Sequence, residues 1–339
     1  MQMYSRSGSS GFIEMSAPNP LNPGVVPKGH FRLGFKAMGT QCEILYRADS
    51  EKQAVGYREE ALAWVKWFEQ RYTRFKEDSL VGRINAAAGK EWVELEDRDA
   101  QLFDLCGQLH FLTEGLFDPT TLPLSLIWDF RVPDPVPPPE SEIRAALGKV
   151  GWARVERKSN AVRLPEAGMG MDFGGFGKEY AVDQVFEMAS GHGIQDILVN
   201  FGGDVRAQGS PPNAPVWHVG VEDPLEPGKA GFVLTVSGLG VATSGTYLRH
   251  FDYGGQRYSH ILDHRTGYPA GYTCHSVTVV ARNCLEAGVW ATCCLIEGGR
   301  EGIGRIDRTF GAEGCAVFES GLRWTNGFHQ YLKNNETGQ

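Results

Sequence analysis

The chain has 339 residues, of which 42% are hydrophobic and 22% are charged, and this composition is typical of a globular protein with a large core or two subdomains. Its net charge of -8 argues against a nucleic-acid-binding surface, because phosphate binding needs an excess of clustered Lys and Arg. No window reaches the roughly 18 to 20 apolar residues that cross a bilayer, so the sequence predicts no membrane span.

The N-terminal segment and the cysteines bear on the location of the protein. Residues 1–30 are rich in Gly, Pro and Ser and are interpreted as a loosely ordered tail. The first residues lack the charged-then-apolar plan of a secretory signal, which indicates the cytoplasm; a periplasmic or membrane-anchored location is the alternative if a signal has been removed. Seven cysteines, an odd number without a C-x-x-C pair, favour reduced thiols.

The first half of the chain predicts a strand and two helices. Residues 31–46 alternate well enough to predict a strand that is interrupted near Gly39. Apolar residues at helical spacing predict two helices, through Ala54, Ala61, Leu62, Val65 and Phe68 and through Leu102, Leu105, Leu109 and Leu112. The proline run at 133–139 predicts a surface connection, because proline removes donors and restricts the residue before it.

The second half mixes short strands with two further helices. The strands are predicted at 197–201, 233–236 and 276–281. The helices are predicted at about 178–190 and 285–297, with Gly191 and Gly298 in the position of a C-terminal cap. Clustered strands with helices between them predict an α+β fold rather than a strictly alternating parallel one.

A glycine-rich stretch, G-M-G-M-D-F-G-G-F-G-K-E-Y-A-V-D (168–183), precedes one of these helices. It is not a dinucleotide fingerprint, because Phe173 stands where the third glycine is required. Asp172 and the glycines after it lead into a helix N-terminus, where free backbone N–H groups suit a phosphate. The alternative interpretation is a tight turn that needs positive φ.

Three other polar segments are weak signals when each is taken alone. The Gly-Gly-Asp of 202–204 follows an apolar strand and is typical of a hairpin, and the hydroxyl run at 241–247 ends in a turn. The segment 258–269 carries His260, whose side chain titrates near neutrality. No G-x-S-x-G or H-E-x-x-H motif is present, so neither a serine hydrolase of the usual α/β type nor a metalloprotease is supported.

Taken together and in order, these segments resemble the FAD:protein FMN transferase family, also called ApbE. The resemblance covers essentially residues 31–330. The matching segments are A-M-G-T (37–40), Y-T-R-F-K-E-D-S-L-V-G-R-I-N (72–85), G-L-F-D-P-T (115–120), D-F-G-G-F-G-K-E-Y-A-V-D (172–183), N-F-G-G-D-V-R (200–206), T-S-G-T-Y (243–247), S-H-I-L-D-H-R-T-G-Y-P (259–269) and S-V-T-V-V-A (276–281).

The resemblance implies both a fold and a reaction. The fold is α+β and T-fold-like, with residues 31–335 as a single catalytic domain whose two lobes enclose an FAD cleft. A divalent metal, usually Mg²⁺, helps to cleave the FAD pyrophosphate, and AMP leaves. FMN is joined through a phosphoester to a Thr or Ser of an acceptor protein. A hard cation held by oxygen ligands suits such phosphoryl chemistry.

The resemblance also assigns residues. His260 is the expected base for the acceptor hydroxyl, while Asp263 either orients the segment and supports charge or simply forms the turn. Phe75 stands where the family often has a ring-stacking tyrosine, and Leu262 falls on a backbone contact to FAD. The expected FAD contacts are Met38, Phe75, Leu116, Phe117, Asp118, Asp172, Lys178 and Leu262.

The metal site is where the sequence departs from the family. The Gly175 carbonyl and the Thr292 side chain match metal-binding positions, but Gly288 occupies the position of the aspartate four residues before Thr292. Glu286 points elsewhere on an ideal helix, so no neighbour on that helix replaces the ligand. Glycine costs about 1 kcal/mol relative to alanine inside a helix, so helix stability does not explain its presence.

Two functions of different classes therefore follow, with a third more remote. The first is an active FMN transferase whose cation is held by Thr292, Gly175, substrate phosphates and water. The second is a protein that binds FAD without splitting it, because one metal ligand is missing. The third is a flavin-dependent oxidoreductase.

Overall fold

Eight antiparallel strands form one sheet in residues 29–333, the part of the chain that the computed structural model describes. Residues 1–28 of the predicted tail lie outside the described residues. His30, the last residue of the predicted tail, begins the first strand. No helix in this part of the chain is both long and apolar enough to cross a bilayer. The α+β class predicted from the sequence is confirmed.

The elements have the following bounds. The strands are β1 (His30–Ala37), β2 (Thr40–Arg47), β3 (Val93–Glu94), β4 (Glu156–Lys158), β5 (Ala161–Arg163), β6 (Ile197–Phe201), β7 (Asp204–Gln208), β8 (Trp217–Glu222), β9 (Ala230–Val236), β10 (Leu239–Gly245), β11 (His250–Tyr253), β12 (Gln256–Ser259), β13 (Leu262–Asp263), β14 (Tyr268–Pro269), β15 (Cys274–Ala281), β16 (Ala312–Phe318) and β17 (Gly321–Trp324). The helices are α1 (Glu51–Tyr72), α2 (Leu80–Ala86), α3 (Asp97–Leu112), α4 (Leu122–Ile127), α5 (Glu140–Leu147), α6 (Gly177–Gly191), α7 (Cys284–Ile296) and α8 (Arg300–Ile306), with 3-10 turns at Trp152–Arg154 and Phe328–Tyr331.

The large sheet has the strand order β1-β2-β6-β7-β10-β15-β16-β17. Its pairs include hairpins of neighbouring strands, such as β1 with β2, and distant partners, such as β2 with β6, where Ile44 faces Val199. A small sheet of order β3-β5-β4 and three separate hairpins, β8–β9, β11–β12 and β13–β14, complete the strand pairing. The β11–β12 hairpin ends at Ser259, directly before His260, and the β13–β14 hairpin follows it.

Both faces of the large sheet are covered, because its strands alternate side chains between two cores. On β6, Val199 belongs to the core under α1, α6 and α7, whereas Leu198 belongs to the opposite core. That second core contains Trp217 and Leu234 of the β8–β9 hairpin and Phe328. The strands that resemble continuous apolar runs in the sequence are therefore buried on both sides.

Most predicted elements are confirmed, and one cap is wrong. The strand interruption near Gly39 is the β1–β2 turn, and Gly298 follows α7 with a φ of +87°. Gly191, however, is the last residue of α6 rather than its cap; the left-handed residue is Gly193, with a φ of +71°. The chain has glycine at both positions, and only the backbone conformation distinguishes them.

Helix α7 lies unusually close to β10. A Cβ built on Gly240 would lie 2.2 Å from the backbone carbonyl carbon of Asn283, the N-cap of α7. We expect Gly240→Ala to lower the free energy of unfolding by about 1–3 kcal/mol or more, because backbone atoms must shift to admit the methyl group. Gly34→Ala on edge strand β1, where a Cβ meets nothing within 4 Å, is the control and should change it by less than about 0.5 kcal/mol. Equal urea midpoints for the two variants would refute this close approach.

Candidate active site

The glycine-rich loop before α6 is held at its start and open at its tip. The Asp172 carboxylate accepts a hydrogen bond from the Gly174 backbone at 2.8 Å and pairs with Arg74 at 2.8 Å. The Asp172 backbone donates to the Pro119 carbonyl at 2.9 Å. A Cβ on Gly175 would meet nothing within 4 Å, so the backbone of this residue is open to a ligand. The N–H groups of Phe176 and Gly177 both donate to the Phe173 carbonyl, so Gly175 is the part of the loop that is open to a ligand.

Arg74 connects this loop to the exposed ring of Phe75. Its guanidinium carbon lies 4.3 Å from the Phe75 ring centroid, while its Nε pairs with Asp172. The Phe75 side chain is 69% exposed, which leaves ring surface free for a planar ligand. The predicted FAD contacts Phe75 and Asp172 are thus brought together through a residue that the sequence analysis did not select.

Asp118 uses its carboxylate inside the protein. Oδ1 accepts hydrogen bonds from the backbone and hydroxyl of Thr120, at 2.7 and 2.5 Å, and Oδ2 accepts one from the Trp152 backbone at 2.8 Å. Leu116 and Phe117 are buried, and Phe117 packs edge-on against Phe176 of the glycine-rich loop. This segment shapes the wall behind the loop, and its contact with FAD stays a prediction.

Two hairpin turns meet beside α6. Met38 has a φ of +49°, and its backbone donates to the Glu69 carboxylate at 2.7 Å. Gly202 of the β6–β7 turn donates to the Gln41 carbonyl at 3.0 Å, and a Cβ there would lie within 2.3 Å of the Thr40 hydroxyl. A side chain at residue 202 would therefore push the two turns apart.

Lys178 joins the same group of segments. Its ammonium is ion-paired with Asp204, whose side chain is 5% exposed, at the start of β7. It also lies 3.6 Å from the Glu179 carboxylate. The Lys178 ammonium therefore links the glycine-rich stretch to the Gly-Gly-Asp turn, which is distant in the sequence.

Helix α7 carries Thr292, a predicted metal ligand, and Gly288, the predicted departure from the family. The Thr292 hydroxyl lies 2.7 Å from the Ser244 hydroxyl of β10. One turn earlier, Gly288 is buried, and a Cβ there would lie 2.5 Å from Cγ of Glu179. The space that an aspartate would need at residue 288 is thus occupied by a side chain from α6.

The N-terminus of α7 is fixed by a buried carboxylate on α6. Asp183 accepts hydrogen bonds from the backbone of Cys284 and of Leu285, both at 2.9 Å, and from Arg206 at 3.1 Å. Asn283 caps the helix through its side chain, which accepts from the Glu286 backbone at 2.7 Å. The position of Thr292 therefore depends on Asp183.

His260 lies after β12 with its ring against a backbone carbonyl. Both its backbone N–H and its Nδ1 contact the Arg249 carbonyl, at 3.0 and 3.2 Å. Nδ1 must carry the proton of the neutral ring to donate to that oxygen, which leaves the lone pair on Nε2. Burial lowers the pKa of His260 to about 4, with the positive charge of Arg249 adding to the effect. The imidazole is therefore neutral at physiological pH.

This lowered pKa predicts an unusual pH dependence. If His260 acts as a base, protonation removes its lone pair, so activity falls as the pH drops through the pKa of the folded protein. We expect kcat/KM for the acceptor to stay level from about pH 7 down to pH 5.5 and to decline only toward pH 4. An enzyme whose catalytic histidine had an unshifted pKa would lose half of its activity near pH 6.5. Acceptor titrations across this range would test it, with circular dichroism to confirm the fold; a midpoint near 6.5 would contradict it.

Asp263 is engaged by the turn that it begins. Its carboxylate accepts hydrogen bonds from the Arg265 backbone and side chain, each at 2.9 Å. Arg265 also donates to the Ile296 carbonyl at the end of α7, at 3.1 Å. Among the described residues, Asp263 makes no hydrogen bond to His260, so it positions the segment against α7 rather than forming a dyad. Leu262 lies beside it, half-buried, in the two-residue strand β13.

The oxygen donors suit a hard cation better than a soft one. Among residues 29–333, no group of three or more His, Cys, Asp and Glu side chains is placed to hold a metal. The open Gly175 carbonyl and the Thr292 hydroxyl are neutral oxygen donors of the kind that Mg²⁺ accepts together with carboxylates, phosphates and water. These two residues provide the type of oxygen ligand that Mg²⁺ binds, and neither of them is charged.

Several site residues were not identified from the sequence. Arg74, Glu69 and Asp204 each hold a predicted FAD contact through an ion pair or hydrogen bond, but their partners are distant in the chain. The sequence did carry a signal for Glu179. Gly288 does not stabilise its helix, and a glycine at such a position indicates that a neighbouring side chain approaches closely. The identity of that neighbour required the structure.

Comparisons with known proteins point to one family. The sequence model of the ApbE family matches residues 38–315. An FAD:protein FMN transferase of Klebsiella pneumoniae is 30% identical over 252 residues, or 74% of this chain and 77% of that protein. One of Treponema pallidum is 26% identical and covers 83% of this chain and 82% of its own length. The crystal structure of the ApbE protein of Thermotoga maritima has a TM-score of 0.81 and 29% identity, covering 90% of this chain and all of that one.

Proposed function

The chain belongs to the ApbE family, and we propose that it acts as an FAD:protein FMN transferase on the site described above. The hydroxyl oxygen of a Thr or Ser on an acceptor protein attacks the phosphorus on the FMN side of the FAD pyrophosphate. A phosphoester bond forms, the bond from that phosphorus to the bridging oxygen breaks, and AMP leaves with the bridging oxygen. The proton of the hydroxyl goes to a base on the enzyme.

The observation that carries this proposal is the state of His260. A neutral ring with its Nδ1 proton on the Arg249 carbonyl keeps a lone pair on Nε2, which is what a base for a hydroxyl needs. A protein that only bound FAD would gain nothing from this arrangement. Asp263 and Arg265 keep the segment against α7, so the base stays close to the helix that carries Thr292.

The pyrophosphate is held by the loop before α6. Its open residue, Gly175, lies just before the N-terminus of α6, where the helix dipole favours negative charge. Arg74 and Lys178 supply two cations, each paired with a carboxylate in the protein, Asp172 and Asp204 respectively. Phosphates bind by sharing these cations, and the paired carboxylates hold the cations in place.

The ring system and the cation use the remaining predicted residues. Phe75 offers an exposed face to a planar ring, and the Met38 turn lies over α1 beside Glu69. The Gly175 carbonyl and the Thr292 hydroxyl would hold the divalent cation. When bound, the cation neutralises charge on the bridging and leaving oxygens of the pyrophosphate.

The test is the release of AMP from FAD. The purified chain is incubated with FAD, Mg²⁺ and an excess of a threonine-bearing acceptor domain, and AMP and flavin-labelled acceptor are quantified by chromatography and mass spectrometry. We expect equal amounts of the two products, and none after chelation of the metal. Recovery of intact FAD that co-purifies with the chain would refute transfer and leave a flavin-binding protein.

A further inference from the structure

The contact between Glu179 and Gly288 joins the two helices at the centre of the site. Glu179 is the third residue of α6, directly after the glycine-rich loop, and Gly288 lies on α7 one turn before Thr292. A Cβ on Gly288 would lie 2.5 Å from Cγ, 3.1 Å from Cδ and 3.2 Å from Oε1 of Glu179. Real Cβ atoms essentially never approach another atom to 2.5 Å, so this Glu179 conformer and a side chain at residue 288 exclude each other.

The Glu179 carboxylate is poorly satisfied within the protein. Oε2 is fully buried and has no hydrogen-bond partner among the described residues. Oε1 lies 3.6 Å from the Lys178 ammonium, which is already paired with Asp204. A buried carboxylate oxygen without a donor costs several kcal/mol unless a ligand compensates it, and nearly all such groups in proteins have a partner. The oxygen therefore lacks a partner within residues 29–333, and a cation bound beside it would supply one.

The neighbours of Glu179 favour a cation. Thr292 follows Gly288 by four residues, so both face the same side of α7, and Glu179 reaches that side from α6. The open Gly175 carbonyl lies four residues before Glu179, on the segment that leads into α6. One carboxylate, one hydroxyl and one carbonyl form the hard oxygen set that Mg²⁺ prefers.

We propose that Glu179 supplies the carboxylate ligand of the divalent cation, in place of the aspartate that the family carries where this chain has Gly288. The charge is the same, but it comes from α6 instead of α7, and the glutamate spans the gap between the helices through the space that glycine leaves free. This inference rests on the proposed transferase function for the presence of a cation. It explains why a glycine inside a buried helix accompanies an acidic residue opposite it.

Direct measurement of metal binding tests this assignment without reference to turnover. MnCl2 is titrated into the full chain, with and without FAD, and free Mn²⁺ is followed by electron paramagnetic resonance. We expect the unmodified chain to bind Mn²⁺ and Glu179→Gln to raise the Kd at least about tenfold, since it removes the one charged ligand. Glu187→Gln is the matched control, because Glu187 lies on α6 but pairs with Arg206 at the surface, and its Kd should change less than about twofold.

A double variant that moves the carboxylate from α6 to α7 gives a second test. Gly288→Asp alone should not tighten Mn²⁺ binding, because its Cβ collides with Glu179. Adding Glu179→Ala removes the collision, so the double variant Glu179→Ala, Gly288→Asp should bind Mn²⁺ within severalfold of the unmodified chain. The thermal midpoint of metal-free Glu179→Gln should not fall, because a neutral amide is less costly to bury than an unpaired charge. If that variant does not fold, the double variant decides.

The outcomes separate this inference from the function that it rests on. An unchanged Kd in folded Glu179→Gln, or no Mn²⁺ binding by the unmodified chain, overturns the role of Glu179, whether or not AMP is released. Failure of the double variant to bind Mn²⁺ overturns it as well. Binding that depends on Glu179 in a chain that releases no AMP supports the ligand and refutes the transferase.

Discussion

Replacing His260 with alanine is expected to lower the rate of FMN transfer about 10²–10⁴-fold at neutral pH, the range typical of a lost general base. The remaining rate reflects substrate positioning and charge neutralisation, which His260 does not supply. FAD binding should be unchanged, because the ring bonds the Arg249 carbonyl and not the glycine-rich loop. Single-turnover transfer to the acceptor domain, together with FAD binding by fluorescence, measures both quantities.

The neighbouring His264→Ala provides the control for this variant. It removes an imidazole from the same turn, four residues away, and should change the rate less than about threefold, since no role in the reaction is assigned to it. Added imidazole should restore part of the activity of His260→Ala by replacing the lost base. Equal rates for the two variants would show that the hydroxyl is deprotonated elsewhere.

Replacing Asp183 with alanine is expected to destabilise the fold by about 3–5 kcal/mol. The change leaves the backbone N–H groups of Cys284 and Leu285 without an acceptor at the buried start of α7, and removes one carboxylate partner of Arg206. Chemical denaturation measures the loss. Because α7 carries Thr292, the metal affinity of the folded fraction should fall as well.

Glu187→Ala separates the helix cap from the ion pair. Glu187 pairs with the same arginine, Arg206, at 2.7 Å, but its side chain is 57% exposed, and the hydrogen bonds described for the start of α7 go to Asp183 instead. An exposed pair contributes about 0–1 kcal/mol, so this variant should be nearly as stable as the unmodified chain. A similar loss in both variants would assign the stabilisation to the arginine pair rather than to the start of α7.

Local structure was predictable from the sequence because it depends on neighbours in the chain. The spacing of apolar residues identified α1 and α3. Alternation predicted a strand interrupted near Gly39, which in the structure is the hairpin of β1 and β2. These patterns report which face of an element is buried. They do not report which element covers it, so the order of strands in the large sheet did not follow from them.

The electrostatics of the site depended on that missing information. The His260 ring contacts the carbonyl of Arg249, and Asp172 pairs with the guanidinium of Arg74. Neither pairing leaves a periodic signal in the chain. The resemblance to the family placed Asp118 in the nucleotide wall, and the structure adds that both of its oxygens are used within the protein. Residue types were predictable; their partners and pKa values were not.

The pairing of β2 with β6 constrains how this protein is made. During synthesis, the first hairpin leaves the ribosome long before residues 197–201, and it must wait for them with one edge unpaired. Residues 284–296 emerge later still, and they carry Thr292, a proposed ligand of the cation. A nascent chain therefore cannot complete the proposed cation site until residues 284–296 have been translated.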